Sequence, residues 1–240
     1  MKKILFKDLI ILENDNVIVI NKPPNVSSLD ERSGEGESII RMAKAYLPDA
    51  QLCHRLDKET SGCLLIAKNE ATYRHISIEF EHRRVLKTYH AIVDGLHEFN
   101  HLEVDLPIGE GQKGLMKIDF GTGKEAVTYF NSIRYFKHYT LVECKPITGR
   151  THQIRVHLAT QRAIIANDLL YGGKRPLLSR LKKRYNLGKF EEEEQSIIRR
   201  FALHAFALKI NNIDGTLIDV SAEYPKDFGV FVKLLEKHDA

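Results

Sequence analysis

One acidic residue, Asp57, lies between two cations in the segment LCHRLDKETSGCLLIAK, residues 52–68. Arg55 and Lys58 flank this carboxylate in a turn that ends at Gly62, and an apolar run that predicts a buried strand follows directly. A carboxylate on a turn anchored to the core suits a nucleophile or a group that stabilises developing charge. The alternative is a local turn hydrogen bond, which Asp side chains commonly make with nearby backbone groups.

A second polar cluster is the segment TGRTHQIRVH, residues 148–157. Gly149 permits an unusual backbone angle before the helix that we expect over residues 151–161, and Thr151 is the expected cap. Arg150 and Arg155 at the start of such a helix can hold a carboxylate or a phosphate. An ordinary structural ion pair is the alternative for both arginines.

The residues that most often bind metals do not form a metal-site pattern in this sequence. His152 and His157 are five positions apart, so the two rings do not share a helical face, and no carboxylate lies near them. The cysteines are odd in number and contain no CxxC pair, which disfavours both a zinc site and a disulfide framework: Cys53, Cys63 and Cys144.

A third cluster, KTYHAIVDG at residues 87–95, places Tyr89 beside a basic turn at the start of a predicted strand. Packing in the core is the common role of such a ring, but it can also stack on a nucleobase and keep its hydroxyl for proton transfer. The segment NDLLYGG, residues 167–173, is interpreted as a structural turn, and LHAFAL, residues 203–208, carries no chemical indication of its own.

Composition places the chain among globular proteins that need no membrane. Apolar residues make up 43% and charged residues 28% of its 240 residues, and no apolar run is long enough to span a bilayer. The N-terminus does not have the pattern of a signal peptide, so we expect a cytoplasmic protein. The net charge of +4 is compatible with a polyanionic partner without requiring one.

Several closely spaced strands and fewer helices predict a mixed, mainly antiparallel α+β sheet in one domain, residues 1–240. Residues 126–136 and 139–146 have the spacing of a hairpin, and Asn69 is the expected cap of a helix over residues 70–82. The charged stretch 174–200 predicts a solvated helix with ion pairs between its turns. The remaining expected elements are strands at 17–20, 63–67, 88–93, 203–210 and 217–222, and helices at 38–47 and from residue 225.

In this order along the chain, the segments resemble those of the RluA-type pseudouridine synthases. HRLDKETSGCLLIAK is similar to the family's signature around its catalytic aspartate, and NKPP at residues 21–24 resembles its first strand and turn. KTYHAIVDG, TGRTHQIRVH, NDLLYGG and LHAFAL resemble its later motifs, so the similarity extends over residues 10–225. The resemblance implies a bent β-sheet flanked by helices, with an active-site cleft across the sheet.

The resemblance also implies a reaction, the isomerisation of uridine to pseudouridine in folded RNA, with neither a cofactor nor a metal. Asp57 would be the nucleophile or charge stabiliser, and whether it attacks the base or the sugar stays open. Arg55 would fill the space left by the flipped-out uridine. Tyr89 would stack on the extruded base and assist proton removal, while Arg155 would pair with Asp57 and keep it ionised and oriented.

Contacts to structured RNA, ribosomal or transfer, would come from the catalytic domain itself. The segment that resembles the family's first strand begins close to Met1, so we expect no separate N-terminal RNA-binding domain. We also expect a monomer. The candidate RNA-binding residues are His54, Arg55, Arg83, Arg84, Lys87 and Arg150, together with the basic residues of the 174–189 segment.

Two other functions are consistent with parts of this pattern. An RNA chaperone or assembly factor with vestigial catalysis would need the basic residues but would have no use for Asp57, Tyr89 and Arg155. A hydrolytic nucleosidase or glycosidase would need a second carboxylate as acid or base. Glu59 is the nearby candidate for that role, and it lies only two residues from Asp57 in the same turn.

Overall fold

The computed structural model describes residues 4–31, 36–182, 184–186 and 193–240. Five α-helices occur in this part of the chain: α1 Ile39–Tyr46, α2 Glu70–Glu81, α3 Gln153–Thr160, α4 Leu178–Leu181 and α5 Lys226–His238. Twelve β-strands accompany them: β1 Ile10–Glu13, β2 Val17–Lys22, β3 Gln51–Leu52, β4 Ser61–Ala67, β5 Leu86–Asp94, β6 Leu102–Asp105, β7 Ile108–Glu110, β8 Met116–Ile118, β9 Val127–Tyr135, β10 Tyr139–Pro146, β11 Leu203–Asn211 and β12 Leu217–Ser221. The class is α+β with mainly antiparallel strand pairing, which confirms the predicted class.

The chain divides into two compact units. The first unit contains Met1–Thr88 and His204–Pro225, and the second contains Tyr89–Leu203 and Lys226–Ala240. The prediction of one catalytic domain with an active-site cleft stays a prediction.

Strand β4 is the central strand of the first unit. It pairs antiparallel with β2 from Gly62 to Ala67, and parallel with β11 where Ser61 meets His204 and Gly62 meets Ala205. Neighbours on both sides bury every residue of β4, as its uninterrupted apolar run predicts. The antiparallel strands β1, β3 and β12 pair with β2, β4 and β11 respectively.

The helices of the first unit start where the sequence predicts. The side chain of Ser38 accepts the N–H of Arg41 at the start of α1, and the side chain of Asn69 accepts the N–H of Thr72 at the start of α2. These caps satisfy backbone donors that have no partner within the helix. The predicted helices over 38–47 and 70–82 are therefore confirmed to within two residues at each end.

In the second unit, β9 and β10 form the predicted hairpin. β10 also pairs antiparallel with β5 from Tyr89 onward, and β6 pairs with the other edge of β9. Strands β7 and β8 form a separate two-stranded sheet. The buried residues Ile108, Ala126 and Val156 pack together beneath α3, so the helix that carries Arg155 rests on this small core.

The prediction of a long helix over residues 174–200 is wrong for the described residues. Only α4 is helical there, and residues 193–200 form bends without helical hydrogen bonding. The Ile197 N–H donates to the Pro176 carbonyl, so this stretch is held by contacts distant in sequence rather than by its own turns. Lys183 and residues 187–192, which include the first half of the acidic run 191–194, lie outside the described residues. Among the described helices, none is long and apolar enough to cross a membrane.

Candidate active site

Asp57 is half-buried in the loop between β3 and β4. Hydrogen bonds to Ser28, which lies earlier in the chain, hold this loop in place. The Ser28 hydroxyl donates to the Leu56 carbonyl at 2.8 Å and accepts the Leu56 N–H at 3.0 Å. The Thr60 N–H donates to the backbone carbonyl of Asp57 at 3.0 Å. This turn is closed through the backbone, so its formation does not depend on the carboxylate. Arg55, two residues earlier, is exposed.

The buried ammonium group of Lys22 holds the backbone of the residue that follows Asp57. Lys22 Nζ donates to the carbonyls of Pro23, Val26 and Lys58 at 2.8–3.0 Å. The Asn25 N–H donates to the same Lys58 carbonyl at 2.8 Å. The NKPP turn and the Asp57 loop are thereby joined, and the backbone is restrained at the residues immediately before and after Asp57. Such support is what a group that must be held in one orientation requires.

The start of β4 is fixed by close packing against β11. Gly62 has a φ of +113°, and a Cβ there would lie 2.1 Å from the Ala205 carbonyl oxygen, so only glycine fits. The Ser61 hydroxyl lies 2.9 Å from His204 Nδ1, and His204 Nε2 lies 3.1 Å from the Ala222 carbonyl. Since a carbonyl can only accept, Nε2 carries the proton and Nδ1 accepts from Ser61. The LHAFAL segment therefore anchors the strand that follows Asp57.

The His54 side chain makes contacts within the first unit. Its Nε2 accepts the Leu65 N–H at 3.0 Å, and its ring lies 5.1 Å from the Phe80 ring. Burial and, to a smaller extent, the charge of Lys87 lower the pKa of His54 to about 3. The imidazole is consequently neutral at physiological pH and supplies no positive charge to RNA.

The basic turn after α2 is only partly available for phosphate binding. The Arg84 guanidinium pairs with the buried carboxylate of Glu79, at 2.9 Å from Nε and 2.5 Å from Nη2. Arg83 is exposed and has a left-handed backbone, with φ of 60°. The Lys87 ammonium lies 5.9 Å from the centre of the Phe80 ring, and burial lowers its pKa to about 8.

In the second unit, Tyr89 lies on β5 opposite Cys144 of β10 and is half-buried. Arg150 precedes α3, and its Nε donates to the Glu125 carbonyl at 2.9 Å. Its guanidinium thus helps to hold the approach to the helix in place through a backbone carbonyl. The predicted role of Arg150 in RNA binding stays a prediction.

The start of α3 differs from the prediction. The left-handed residue is His152, with φ of 55°, while Gly149 has no positive φ, and Thr151 is not the cap. The Gln153 side-chain oxygen accepts the Arg150 N–H at 2.9 Å and the Thr148 hydroxyl at 2.7 Å. These bonds close a turn ahead of the helix, so the helix begins two residues later than predicted.

Arg155 has a buried carboxylate partner that the sequence did not reveal. Its Nε and Nη2 each donate to one oxygen of Asp168, both at 2.7 Å, and the two side chains are 5% and 2% exposed. Because Asp57 belongs to the other unit, the predicted pairing of Arg155 with Asp57 and the convergence of Tyr89 on it stay predictions. In the described part of the chain, no cluster of three or more potential ligand side chains is placed to hold a metal.

Comparison with known proteins identifies the family of this chain. A family model described as RNA pseudouridylate synthase matches residues 16–160. The chain belongs to this family. It is 32% identical over 95% of its length to ribosomal large subunit pseudouridine synthase D of Haemophilus ducreyi, of which the match covers 70%. It is 31% identical to an uncharacterised RNA pseudouridine synthase of Zymomonas mobilis over 95% of both chains.

Other members of the RNA pseudouridylate synthase family extend the similarity to longer proteins and to solved structures. Ribosomal large subunit pseudouridine synthase C of Vibrio vulnificus is 38% identical over 172 residues, and the match spans about half of that protein, 54%. The solved structure of human RNA pseudouridylate synthase domain containing 4 superposes with a TM-score of 0.73 at 27% identity, over 96% of this chain and 95% of that one. These matches confirm the RluA-type family and the pseudouridine synthase fold.

Three residues that contribute to the candidate site of this synthase were missed as chemical groups in the sequence: Lys22, Ser28 and Asp168. Lys22 and Asp168 lie in the segments NKPP and NDLLYGG, whose resemblance to family motifs was the available signal. A lysine next to two prolines and an aspartate in a glycine-bearing turn both have ordinary surface roles, so residue type alone could not reveal that they are buried and paired.

Proposed function

We propose that this pseudouridine synthase isomerises specific uridines in ribosomal or transfer RNA, with Asp57 as its catalytic residue and without a cofactor. The observation that carries the proposal is the restrained backbone on both sides of Asp57, in the segment that resembles the family's signature. A half-buried carboxylate on a backbone restrained in this way can adopt few orientations. Correct orientation of reacting groups is a large source of rate acceleration. Whether the carboxylate attacks the base or the sugar stays open.

The other proposed roles follow from the position and type of each side chain. Arg55 is exposed beside Asp57, as a side chain that enters the space of a flipped-out uridine needs to be. Tyr89 offers a half-buried ring for stacking on the base, a contribution of about 1–3 kcal/mol for such contacts. Arg155 would bring a guanidinium to Asp57, which favours the ionised form of a carboxylate.

RNA binding would depend on basic residues that are exposed to solvent. Arg83 and Arg55 are exposed, as are Lys174 and Arg175 in the described part of the 174–189 segment. Arg84 is paired with Glu79, so it would contribute less. Relatives named for the ribosomal large subunit favour ribosomal over transfer RNA as the substrate. A cytoplasmic monomer is the form that we propose.

The test compares a deletion strain with strains that carry the wild-type gene, Asp57→Asn or Asp49→Asn. Asp49 is an exposed aspartate of the same unit, so its variant controls for the loss of one carboxylate. Carbodiimide mapping of uridines in total RNA should show one or more modified positions that disappear in the deletion strain. Wild type and Asp49→Asn should restore them.

Asp57→Asn should restore none of these modifications while the purified variant keeps its circular dichroism spectrum and its affinity for the target RNA. Substantial turnover by Asp57→Asn would refute the proposal. RNA binding by the wild-type protein without any position that depends on the gene would favour the RNA chaperone instead. The hydrolase with Glu59 as second carboxylate would release free uracil, which chromatography of the reaction would detect.

A further inference from the structure

The Arg155 guanidinium is held along one edge by Asp168. An arginine has five N–H groups, and this bidentate pair uses the one on Nε and one of the two on Nη2. Three N–H groups, including both on Nη1, lie outside the pair. A planar guanidinium with one edge engaged in this way has a fixed plane, so the directions of the other N–H groups are fixed as well.

Two aromatic rings further restrain the same guanidinium. Its central carbon lies 4.9 Å from the centre of the Tyr171 ring and 4.2 Å from that of Phe201. The Tyr171 hydroxyl accepts the Met116 N–H at 3.1 Å and lies 2.9 Å from His152 Nδ1. The ring against Arg155 is thereby tied to the first turn of the helix that carries Arg155.

Asp168 itself lies in a rigid turn. Its N–H donates to the Ile165 carbonyl at 3.0 Å, and its carbonyl accepts the Gly173 N–H at 2.8 Å. A Cβ at Gly173 would lie 2.5 Å from the Ile165 carbonyl oxygen and 2.6 Å from the Asp168 nitrogen, so the turn requires glycine there. The carboxylate is consequently presented to Arg155 by a backbone with little freedom to adjust.

We propose that Asp168 is a positioning residue for the isomerisation, acting through Arg155, and this inference rests on the proposed function of Asp57 and Arg155. Asp168 neutralises the buried guanidinium and sets its plane, so that the N–H groups outside the pair point in one direction. Without the carboxylate, the guanidinium can rotate, and the orientation that the proposed role of Arg155 requires is lost. Catalysis would then fall, while RNA binding, which depends on other basic residues, would not.

The second unit contains a matched control for this experiment. Arg200 is buried and pairs bidentately with Asp227, with Nε and Nη2 at 2.8 and 3.1 Å from the two carboxylate oxygens. Arg200 Nη1 also donates to the Leu203 carbonyl at 3.1 Å, which ties this pair to the backbone. Asp227→Asn removes a bidentate arginine–aspartate pair from the same unit, with a carboxylate that is 33% exposed. Its melting temperature shows how far the loss of such a pair lowers the stability of this unit.

The experiment measures the single-turnover rate of pseudouridine formation, the dissociation constant for the target RNA and the melting temperature of each variant. Asp168→Asn should lower the rate by about 10- to 100-fold, the range expected when a catalytic group is misplaced. Its RNA affinity should be unchanged. Asp227→Asn should lower the melting temperature but leave the rate near the wild-type value. Asp168→Glu, which keeps the charge, should recover part of the rate lost in Asp168→Asn.

A double-variant cycle tests whether Asp168 acts through Arg155. In an Arg155→Lys background, Asp168→Asn should lower the rate little further, because the group that it positions is already gone. Equal rates for Asp168→Asn and wild type would overturn the inference, as would a loss of rate that Asp227→Asn reproduces. If Asp168→Asn does not fold, the decision rests on Asp168→Glu, and a wild-type rate for that variant would overturn the inference.

Asp57→Asn, assayed in parallel, separates the two proposals. An active Asp57→Asn refutes the proposed function and the inference with it. An inactive Asp57→Asn together with a fully active Asp168→Asn refutes the role of Asp168 alone.

Discussion

The buried ammonium of Lys22 gives a prediction whose size follows from its contacts. In Lys22→Met, the carbonyls of Pro23, Val26 and Lys58 lose the donor that now lies 2.8–3.0 Å away. The Lys58 carbonyl keeps the Asn25 N–H, so the loss falls mainly on the other two carbonyls. At about 1–3 kcal/mol for each buried acceptor left without a donor, the free energy of unfolding should fall by about 2–6 kcal/mol.

Urea denaturation measures this change as a lower midpoint at an unchanged slope. Lys58→Met is the matched control, since the exposed Lys58 ammonium pairs with an exposed carboxylate, that of Glu31, and such pairs add little stability. The specific activity of Lys22→Met should also fall under conditions where the variant is folded, because the loop of Asp57 loses its restraint. A midpoint for Lys22→Met equal to that of Lys58→Met would refute this account of the loop.

Two further predictions concern the same unit. Gly62→Ala should prevent stable folding, because its Cβ would lie 2.1 Å from the Ala205 carbonyl oxygen. Gly215→Ala, which has a φ of +80° but nothing within 4 Å of its Cβ, should only lower the thermal midpoint modestly, and similar midpoints for the two would contradict the steric argument. His54 has a pKa of about 3 in the fold against 6.5 in the unfolded chain, so the unfolded state binds more protons between these values and stability is lost as the pH falls from 6.5 towards 3. Urea denaturation between pH 4 and 7 should show a pH dependence that His54→Gln reduces by up to about 1.4 kcal/mol per pH unit, and an equal slope in both proteins would contradict it.

Local sequence was sufficient wherever an element depends on its own residues. The helix over residues 38–47, the cap at Asn69 and the hairpin of β9 and β10 were predicted because each is formed within a short stretch of chain. The apolar run of β4 predicted a strand buried on both faces. The order of the motifs along the chain indicated the family, and the comparisons confirmed it.

Local sequence failed where a residue's partner is distant or unusual. The charged stretch 174–200 has the composition of a solvated helix, but the Ile197 N–H donates to the distant Pro176 carbonyl instead. Gly149 was the natural candidate for an unusual backbone angle before α3, yet His152 adopts it, because the Gln153 side chain reaches back to Arg150 and closes the turn earlier.

The sequence alone shows the candidate chemical groups: a carboxylate between cations, a tyrosine and an arginine. The resemblance of their segments to family motifs indicates the reaction. Which other side chains hold these groups in place is decided only by the tertiary structure. Lys22 Nζ meets the Lys58 carbonyl across 36 residues, and Arg155 meets Asp168 across 13. The side chains of Lys22, Arg155 and Asp168 are all buried. Burial turns such side chains from solvated surface charges into partners that must be satisfied, and burial is decided only when distant segments pack together.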